Sequence, residues 1–297
     1  MFTLHQIPSE AKIKKDLKVL LFGKRLFCPR CGSYQVRRSK KRYHCKKCRK
    51  PFSLTSVTWL KGIKLSLSTF YILLWCWCNK VPVDQTMRLS KVSEPTVRRW
   101  FNKFRKPLPD NYQMRLSGII QMDEAFYGSK KSSLFIAAKE KGTRKVVGKV
   151  LSHTNLQRQD IIPILQQHVV PGSQLNTDGH GVYRGIANWW PVNHQYDVHS
   201  RFEFSLTSEI EGLFGNFKTF IRRMYHHVTK EKLPELVGEF LARFSHPEYF
   251  QSPQNYLKVA ILPLVRSNKK AVQKRVQNLH SLTDLKQVQN PLTSVPY

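Results

Sequence analysis

The sequence predicts an α/β domain built on a mixed five-stranded sheet, preceded by a small cysteine-bound ribbon and a helical, helix-turn-helix-like region. Three observations carry that expectation. Two Cys-x-x-Cys pairs, Cys28-Pro-Arg-Cys31 and Cys45-Lys-Lys-Cys48, stand thirteen residues apart near the N-terminus. Beyond residue 110, short apolar runs of strand length alternate with stretches of helical spacing. Finally, 50 Lys and Arg against 19 Asp and Glu leave a net charge of +31. That excess is far beyond what solubility needs and implies a polyanionic partner, with nucleic acid as the first candidate.

A membrane-surface role ranks lower, because the basic residues are interleaved with cysteines and aromatics and do not line one face of a long amphipathic helix. The opening residues lack the apolar core of a secretory leader, and the most apolar run, Leu65 to Cys78, is too short to span a bilayer. The chain is therefore expected at the DNA, in the cytoplasm and nucleoid or in the nucleus of a eukaryotic host. Its 297 residues, 41% apolar, suffice for a real core in one large domain with one or two small ones.

Taken in order, residues 1–25 read as a basic arm and residues 26–55 as the ribbon. Two Cys-x-x-Cys knuckles at this separation give four thiolates to one tetrahedral Zn²⁺, and four thiolates leave no open position for chemistry, so Cys28, Cys31, Cys45 and Cys48 are expected to hold one structural ion. The interval between them alternates enough to form a short hairpin. It would carry Arg37, Arg38, Lys40, Lys41 and Arg42, phosphate contacts by default.

Residues 56–110 turn helical. Leu65 to Cys78 reads as a buried helix with Cys76 and Cys78 in the core. A short helix and a turn follow, and Ser93-Glu94-Pro95 then starts a second helix bearing Arg98, Arg99, Lys103 and Arg105. That is the shape of a helix-turn-helix whose second helix enters the major groove, and residues 1–106 hold 26 Lys and Arg against 4 Asp and Glu. Lys106 to Asn111 reads as a linker.

Residues 111–250 carry the α/β pattern, and 251–297 read as a basic tail. Strands are expected at Leu116 to Met122 ending at Asp123, at Ser133 to Ala138, and at Lys145 to Leu151. A helix over Gln159 to Val170 follows. A short strand then ends at Asp178, Gly181 to Trp190 is helical, Asn193 to Val198 is a fifth strand, and Thr207 to Arg223 is the last helix. Three strands, helix, strand, helix, strand, helix is the order of the ribonuclease-H-like fold, in which Asp123, Asp178 and Glu211 can converge.

Each acid has an ordinary reading as well. Asp123 could be a strand-end polar residue, and of Asp123 and Glu124 only one can face a shared site. Asp178-Gly179 could be a turn, and Ser208-x-x-Glu211 fits a capping box. Jointly, on the right elements in the right order, the three carboxylates suit two Mg²⁺ ions and phosphoryl transfer. Lys218 and Arg222 lie on the same helical row as Glu211.

The chain resembles DDE transposases of the group that joins zinc-ribbon insertion sequences to the Merlin elements, whose catalytic domain is called ISXO-two-like. The matching residues are the four ribbon cysteines, Met122-Asp123-Glu124-Ala125-Phe126-Tyr127-Gly128, Thr177-Asp178-Gly179 with Tyr183 after it, and Ile210-Glu211-Gly212 with Lys218 seven residues on. The likeness runs from about Leu26 to Phe250. It departs at Leu206-Thr207-Ser208, where relatives often have a His-x-Asn lead, and at Phe214, where they often have Trp. The resemblance implies a catalytic triad of Asp123, Asp178 and Glu211 holding two Mg²⁺ (or Mn²⁺), with Lys218 contacting DNA. It further implies binding of terminal inverted repeats and target DNA by a homodimer or higher assembly, metal-dependent strand cleavage, and strand transfer. The rivals are a non-catalytic DNA-binding regulator on an inert body and a nuclease that cuts without joining.

Overall fold

Ser9 starts the first helix, α1 (Glu10–Phe22), by accepting the N–H of Lys12, and Gly23, at φ 66°, ends it in a conformation that a side chain would disfavour. The computed structural model describes residues 7–39, 42–128, 133–197, 205–226 and 228–261. Residues that read in the sequence only as a basic arm thus contain a helix with a buried face of Ile13, Leu17, Leu21 and Phe22. Phe22 lies 5.3 Å from Phe27 and 6.2 Å from Phe52, centroid to centroid, which joins the helix to the ribbon. The ribbon itself is an antiparallel sheet of β1 (Val36–Ser39), β2 (Arg42–Cys45) and β3 (Pro51–Phe52) in that spatial order, and the expected hairpin is its β1–β2 pair. Lys40 and Lys41 lie outside the described residues.

The chain divides into two compact units, residues 1–75 with 252–297 and residues 76–251, and the division falls inside α2 (Leu67–Cys78). The first unit also holds α8 (Pro253–Ala260), whose last carbonyl accepts the indole N–H of Trp59 at 2.8 Å.

In the second unit, α3 (Val83–Ser90) closes at Lys91 in the left-handed region, and α4 (Glu94–Arg105) starts after Ser93 with proline in its first turn, as the sequence implied. Val97, Trp100, Phe101 and Phe104 make its buried face, while Arg98 and Arg99 are exposed. Arg105 departs from expectation. It turns inward to the buried Glu239 of α7 (Leu233–Ser245) at 2.6 Å, where the Tyr225 hydroxyl also donates at 2.8 Å and Arg243 at 2.9 Å.

Burial opposes ionisation of Glu239, but Arg105 and Arg243 outweigh it and hold the carboxyl below its usual range. The guanidinium of Arg243 is itself clamped, donating to the carbonyls of Trp77 and Cys78 and lying 4.6 Å from the Trp77 ring centroid. A buried carboxylate with two cations stabilises little in net terms, yet removing one partner leaves the others charged and dry. Glu239→Ala should therefore lower unfolding stability by about 3 kcal/mol, read from a denaturant midpoint. A shift under a few tenths of that size would refute the pairing.

The main sheet has the order β6-β5-β4-β7-β8, with β4 (Ile119–Tyr127), β5 (Ser133–Glu140) and β6 (Val146–Leu151) antiparallel and with β7 (Gln174–Asp178) and β8 (Asn193–Asp197) parallel to β4. Two crossovers, one containing α5 (Arg158–His168), link the parallel strands, and α6 (Ser208–Met224) follows the last of them. This is the ribonuclease-H-like architecture that the element order foretold.

Two details differ. Asp123 is not at a strand end, because β4 stays paired with β5 as far as Tyr127↔Ser133. The segment 181–190 is not one helix but two short 3-10 turns, Gly181–Tyr183 and Ile186–Asn188, with Gly185 at φ 68° between them breaking helical continuity.

Alternation sorts the strands into two faces. Ile120, Met122, Leu134, Ile136, Ala138 and Leu175 join Ile161, Ile164 and Leu165 of α5 in one core. On the opposite face Phe135 packs against Phe214 and Phe217 of α6, at 5.3 and 5.1 Å, and Phe217 meets Phe240 of α7 at 5.3 Å. Gly148 of β6 is required here, since a Cβ would come within 2.8 Å of the Ile136 carbonyl and the Phe135 ring.

Candidate active site

Register decides which acids face one another. Asp123 pairs with Ala137, a neighbour of Phe135 along the α6-facing side of β5, whereas Glu124 pairs with the core residue Ile136. Asp123 thus faces α6, and Glu124 faces the other way, accepting the buried Tyr183 hydroxyl at 2.8 Å. The β4–β7 pairing ends at Gln121↔Asn176, so Asp123 and Asp178 each lie two residues beyond the last pair, at positions that alternation assigns to that same face.

The start of α6 is tied to this face at three points. The Ile210 N–H donates to the buried Gln121 side chain at 2.9 Å, Asn176 Nδ2 to the Leu206 carbonyl at 3.4 Å, and the Leu206 N–H to the buried Asp197 at 2.7 Å. Glu209 adds a fourth tie by accepting from Lys139 and, at 3.1 Å, from the Gly142 N–H. These contacts bring Glu211, in the first turns of α6, to the side where Asp123 and Asp178 lie.

The capping-box reading of Glu211 fails. The helix begins at Ser208 with Thr207 as its N-cap residue and no side-chain cap bond, so Glu211 falls one position too late to serve the box. Its carboxylate accepts the Thr207 hydroxyl at 3.0 Å instead. The turn reading of Asp178 holds for one oxygen, since Oδ1 accepts the His180 N–H at 3.1 Å.

Electrostatically, burial first, then Glu124, Asp178 and Glu211, push the Asp123 carboxyl up to about 8. Burial raises Glu124 as well, against the Tyr183 hydrogen bond, with Asp178 adding to the rise. Crowded carboxylates of this kind have the donor chemistry that hard divalent cations take, and a cation there would remove their mutual repulsion.

Lys218 and Arg222 are exposed further along α6. Arg37, Arg38 and Arg42 are exposed on the ribbon hairpin, and Arg98 and Arg99 on α4, where Arg98 pairs with Glu94 at 2.7 Å. Lys103 is half-buried over the Trp100 ring at 4.6 Å. Sequence reasoning missed Gln121, Asn176 and Asp197, the residues that hold α6 on the sheet. The one signal available was polarity at inward positions of strands.

In the ribbon, all four cysteine sulfurs lie within 4.8 Å of one another, the one such metal-ligating cluster among the described residues. Cys28 Sγ is 3.6 Å from Cys48 Sγ, and Cys31 Sγ is 3.6 Å from Cys45 Sγ. A tetrahedron of sulfurs around Zn²⁺ has edges of about 3.8 Å, so the set fits one structural zinc. Burial pushes the Cys28 thiol up to about 12. At Cys45 burial acts in the same direction, but the Cys48 N–H and neighbouring sulfurs outweigh it and bring the thiol down to about 7.

A mixed five-stranded sheet with helices, preceded by a zinc ribbon, is the architecture of a ribonuclease-H-like DDE domain with an N-terminal metal module. Residues 115–245 match the ISXO2-like transposase domain, and residues 8–51 match the transposase zinc-ribbon domain. The chain belongs to this group of DDE transposases. No curated protein matches it. Among the described residues no helix is long and apolar enough to cross a membrane.

Proposed function

We propose that the chain binds the terminal repeats of a mobile DNA element, cuts there and joins the freed 3′ ends to target DNA, with Asp123, Asp178 and Glu211 as the catalytic acids. The observation that carries this reading is the meeting of two neighbouring parallel-strand positions with the start of α6 on one face of the sheet. The three carboxylates would hold two Mg²⁺, or Mn²⁺ in their place. Such ions, when bound, supply Lewis-acid polarisation of the phosphoryl oxygens and an acidified water or 3′-hydroxyl.

The rest is work for the protein's own groups. Strands β4 and β7, paired as far as Gln121↔Asn176, carry Asp123 and Asp178, and the Thr207 hydroxyl donates to Glu211. Lys218 and Arg222, about two and three turns further along the same row of α6, grip the phosphates beside the scissile bond and offset the charge that develops on them. Arg37, Arg38 and Arg42, with Lys40 and Lys41, contact DNA from the ribbon, and Arg98, Arg99 and Lys103 do so from α4. Two or more copies hold the two ends together, at the DNA of the nucleoid or nucleus.

Tyr127, Tyr183 and Tyr225 raise the rival of a tyrosine recombinase, and two of the three are already engaged, since the hydroxyls of Tyr183 and Tyr225 are buried against Glu124 and Glu239. No covalent protein–DNA intermediate is expected. Incubation of the protein with labelled element ends, target DNA and Mg²⁺ should yield joined product. A trapped protein–DNA adduct, or cleavage that survives EDTA, would overturn the reading, and cleavage without joining would reduce it to a nuclease.

A further inference from the structure

A second concentration of positive charge lies beside α6, away from the row of Glu211. A groove of about 380 Å³ is bounded by Lys80, Arg144, Arg223 and Arg243, with Asn216 and Thr219 offering polar groups and no carboxylate among the described residues that line it. Phe220 and Phe240, both buried, give it an apolar floor. Lys80, Arg144 and Arg223 are exposed, and among the described residues none of them forms an ion pair.

The cations are positioned, not loose. Arg144 donates to the Phe244 carbonyl at 3.3 Å and lies 5.9 Å from that ring's centroid. Arg243 is locked beneath them by Glu239 and the Trp77 and Cys78 carbonyls. Lys80 sits in a left-handed turn at φ 56°, its N–H bonded to the Trp77 carbonyl at 3.2 Å. Burial, then Arg243 and Arg223, weaken the hold of Lys80 on its proton, and the buried Glu239 offsets this only in part. Bringing cations together costs free energy in the isolated protein, and a bound anion reverses the sign of that term.

We infer that this groove is a phosphate-binding subsite for the DNA backbone, an extension of the function proposed above, on which it rests. On α6, Thr219, Arg223 and Asn216 stand about 80°, 120° and 140° around from the row of Glu211, Lys218 and Arg222, and Arg223 lies about 18 Å along the helix from Glu211. A duplex that reaches both is held about five base pairs from the acids, at 3.4 Å per step. The groove thereby fixes how far the DNA extends past the scissile phosphate.

The test uses the full chain, a fluorescein-labelled duplex carrying the element end, and the double variant Arg144→Gln/Arg223→Gln, with Arg223→Lys as the conservative partner. Anisotropy titrations over a range of salt should show the double variant binding roughly tenfold more weakly, with the slope of log K against log salt shallower by about 1.8, the value for two lost phosphate contacts. Arg223→Lys should keep most of the slope, and the melting temperature of the double variant should fall only slightly, since both arginines are exposed and only the single Arg144 contact with Phe244 is lost. Ethylation interference should identify phosphates about five base pairs from the cleavage position that matter for wild type and fall silent in the double variant. Unchanged slope and an unchanged interference pattern, with wild type binding normally, would overturn the subsite alone. Wild type that shows no salt-dependent binding would overturn the DNA-binding reading of the whole chain together with it.

Discussion

Glu211→Gln should abolish strand cleavage, by about a thousandfold or more, the scale on which one preorganised electrostatic element of a phosphoryl-transfer site counts. Glutamine is nearly the same size and still accepts the Thr207 hydroxyl that now reaches Glu211 Oε1 at 3.0 Å. What it lacks is the negative charge that a divalent cation needs. Since Glu211 does not cap α6, the stability cost should stay within about 1 kcal/mol, and duplex affinity should be unchanged.

Glu209→Gln is the contrasting variant. Two residues along the helix point it about 200° away, to Lys139 and the Gly142 N–H. It should cost about 1 kcal/mol of stability through the weakened ion pair and leave cleavage close to wild type. Single-turnover cleavage of labelled ends, read beside thermal melts, separates the two. Equal loss of cleavage in both variants would mean that the wrong acid of α6 has been assigned.

What could be read in the sequence was what is local. The knuckles of the ribbon are short-range chemistry, and the apolar runs that became β5, β6 and β7 announced themselves within a few residues of their final bounds. Asp178 was correctly placed at a strand end because Gly179 and a polar segment follow it at once. Ser93-Glu94-Pro95 likewise carries the start of α4 in three consecutive residues.

What could not be read depends on partners far along the chain. Nothing near Arg105 reveals that it turns to Glu239, 134 residues on, and nothing near Glu209 reveals Lys139, 70 residues back. Choosing between Asp123 and Glu124 needed the register against Ala137 and Ile136, a fact about pairing that alternation alone leaves open by one residue. The mistaken capping box has the same origin. Asp197 and Asn176 fix Leu206 on the sheet, so the helix starts one residue before the point that Ser208 and Glu211 suggested.

Removing zinc should unfold the N-terminal module while residues 76–251 keep their own melting transition. The ribbon sheet contains strands of four, four and two residues, and its core is a handful of rings around Phe22, Phe27 and Phe52. Burial on that scale does not offset the conformational entropy of ordering the chain, so the metal must supply the difference, on the order of 10 kcal/mol for a four-ligand site. The direction with pH follows from the ligands. Zn²⁺ binds thiolates, and burial foremost pushes Cys28 up to about 12 and raises Cys31 as well, so these two thiols are neutral in the metal-free protein and metal binding must expel their protons. Acid therefore competes with zinc, and the module should lose metal and structure as pH falls, while alkali should not release it. Elemental analysis should find about one zinc per chain. Cys28→Ser should lose that zinc together with the ribbon's dispersed amide signals. A chain purified without zinc yet fully folded over residues 26–55, or a Cys28→Ser variant that keeps those signals, would refute the structural role of the metal.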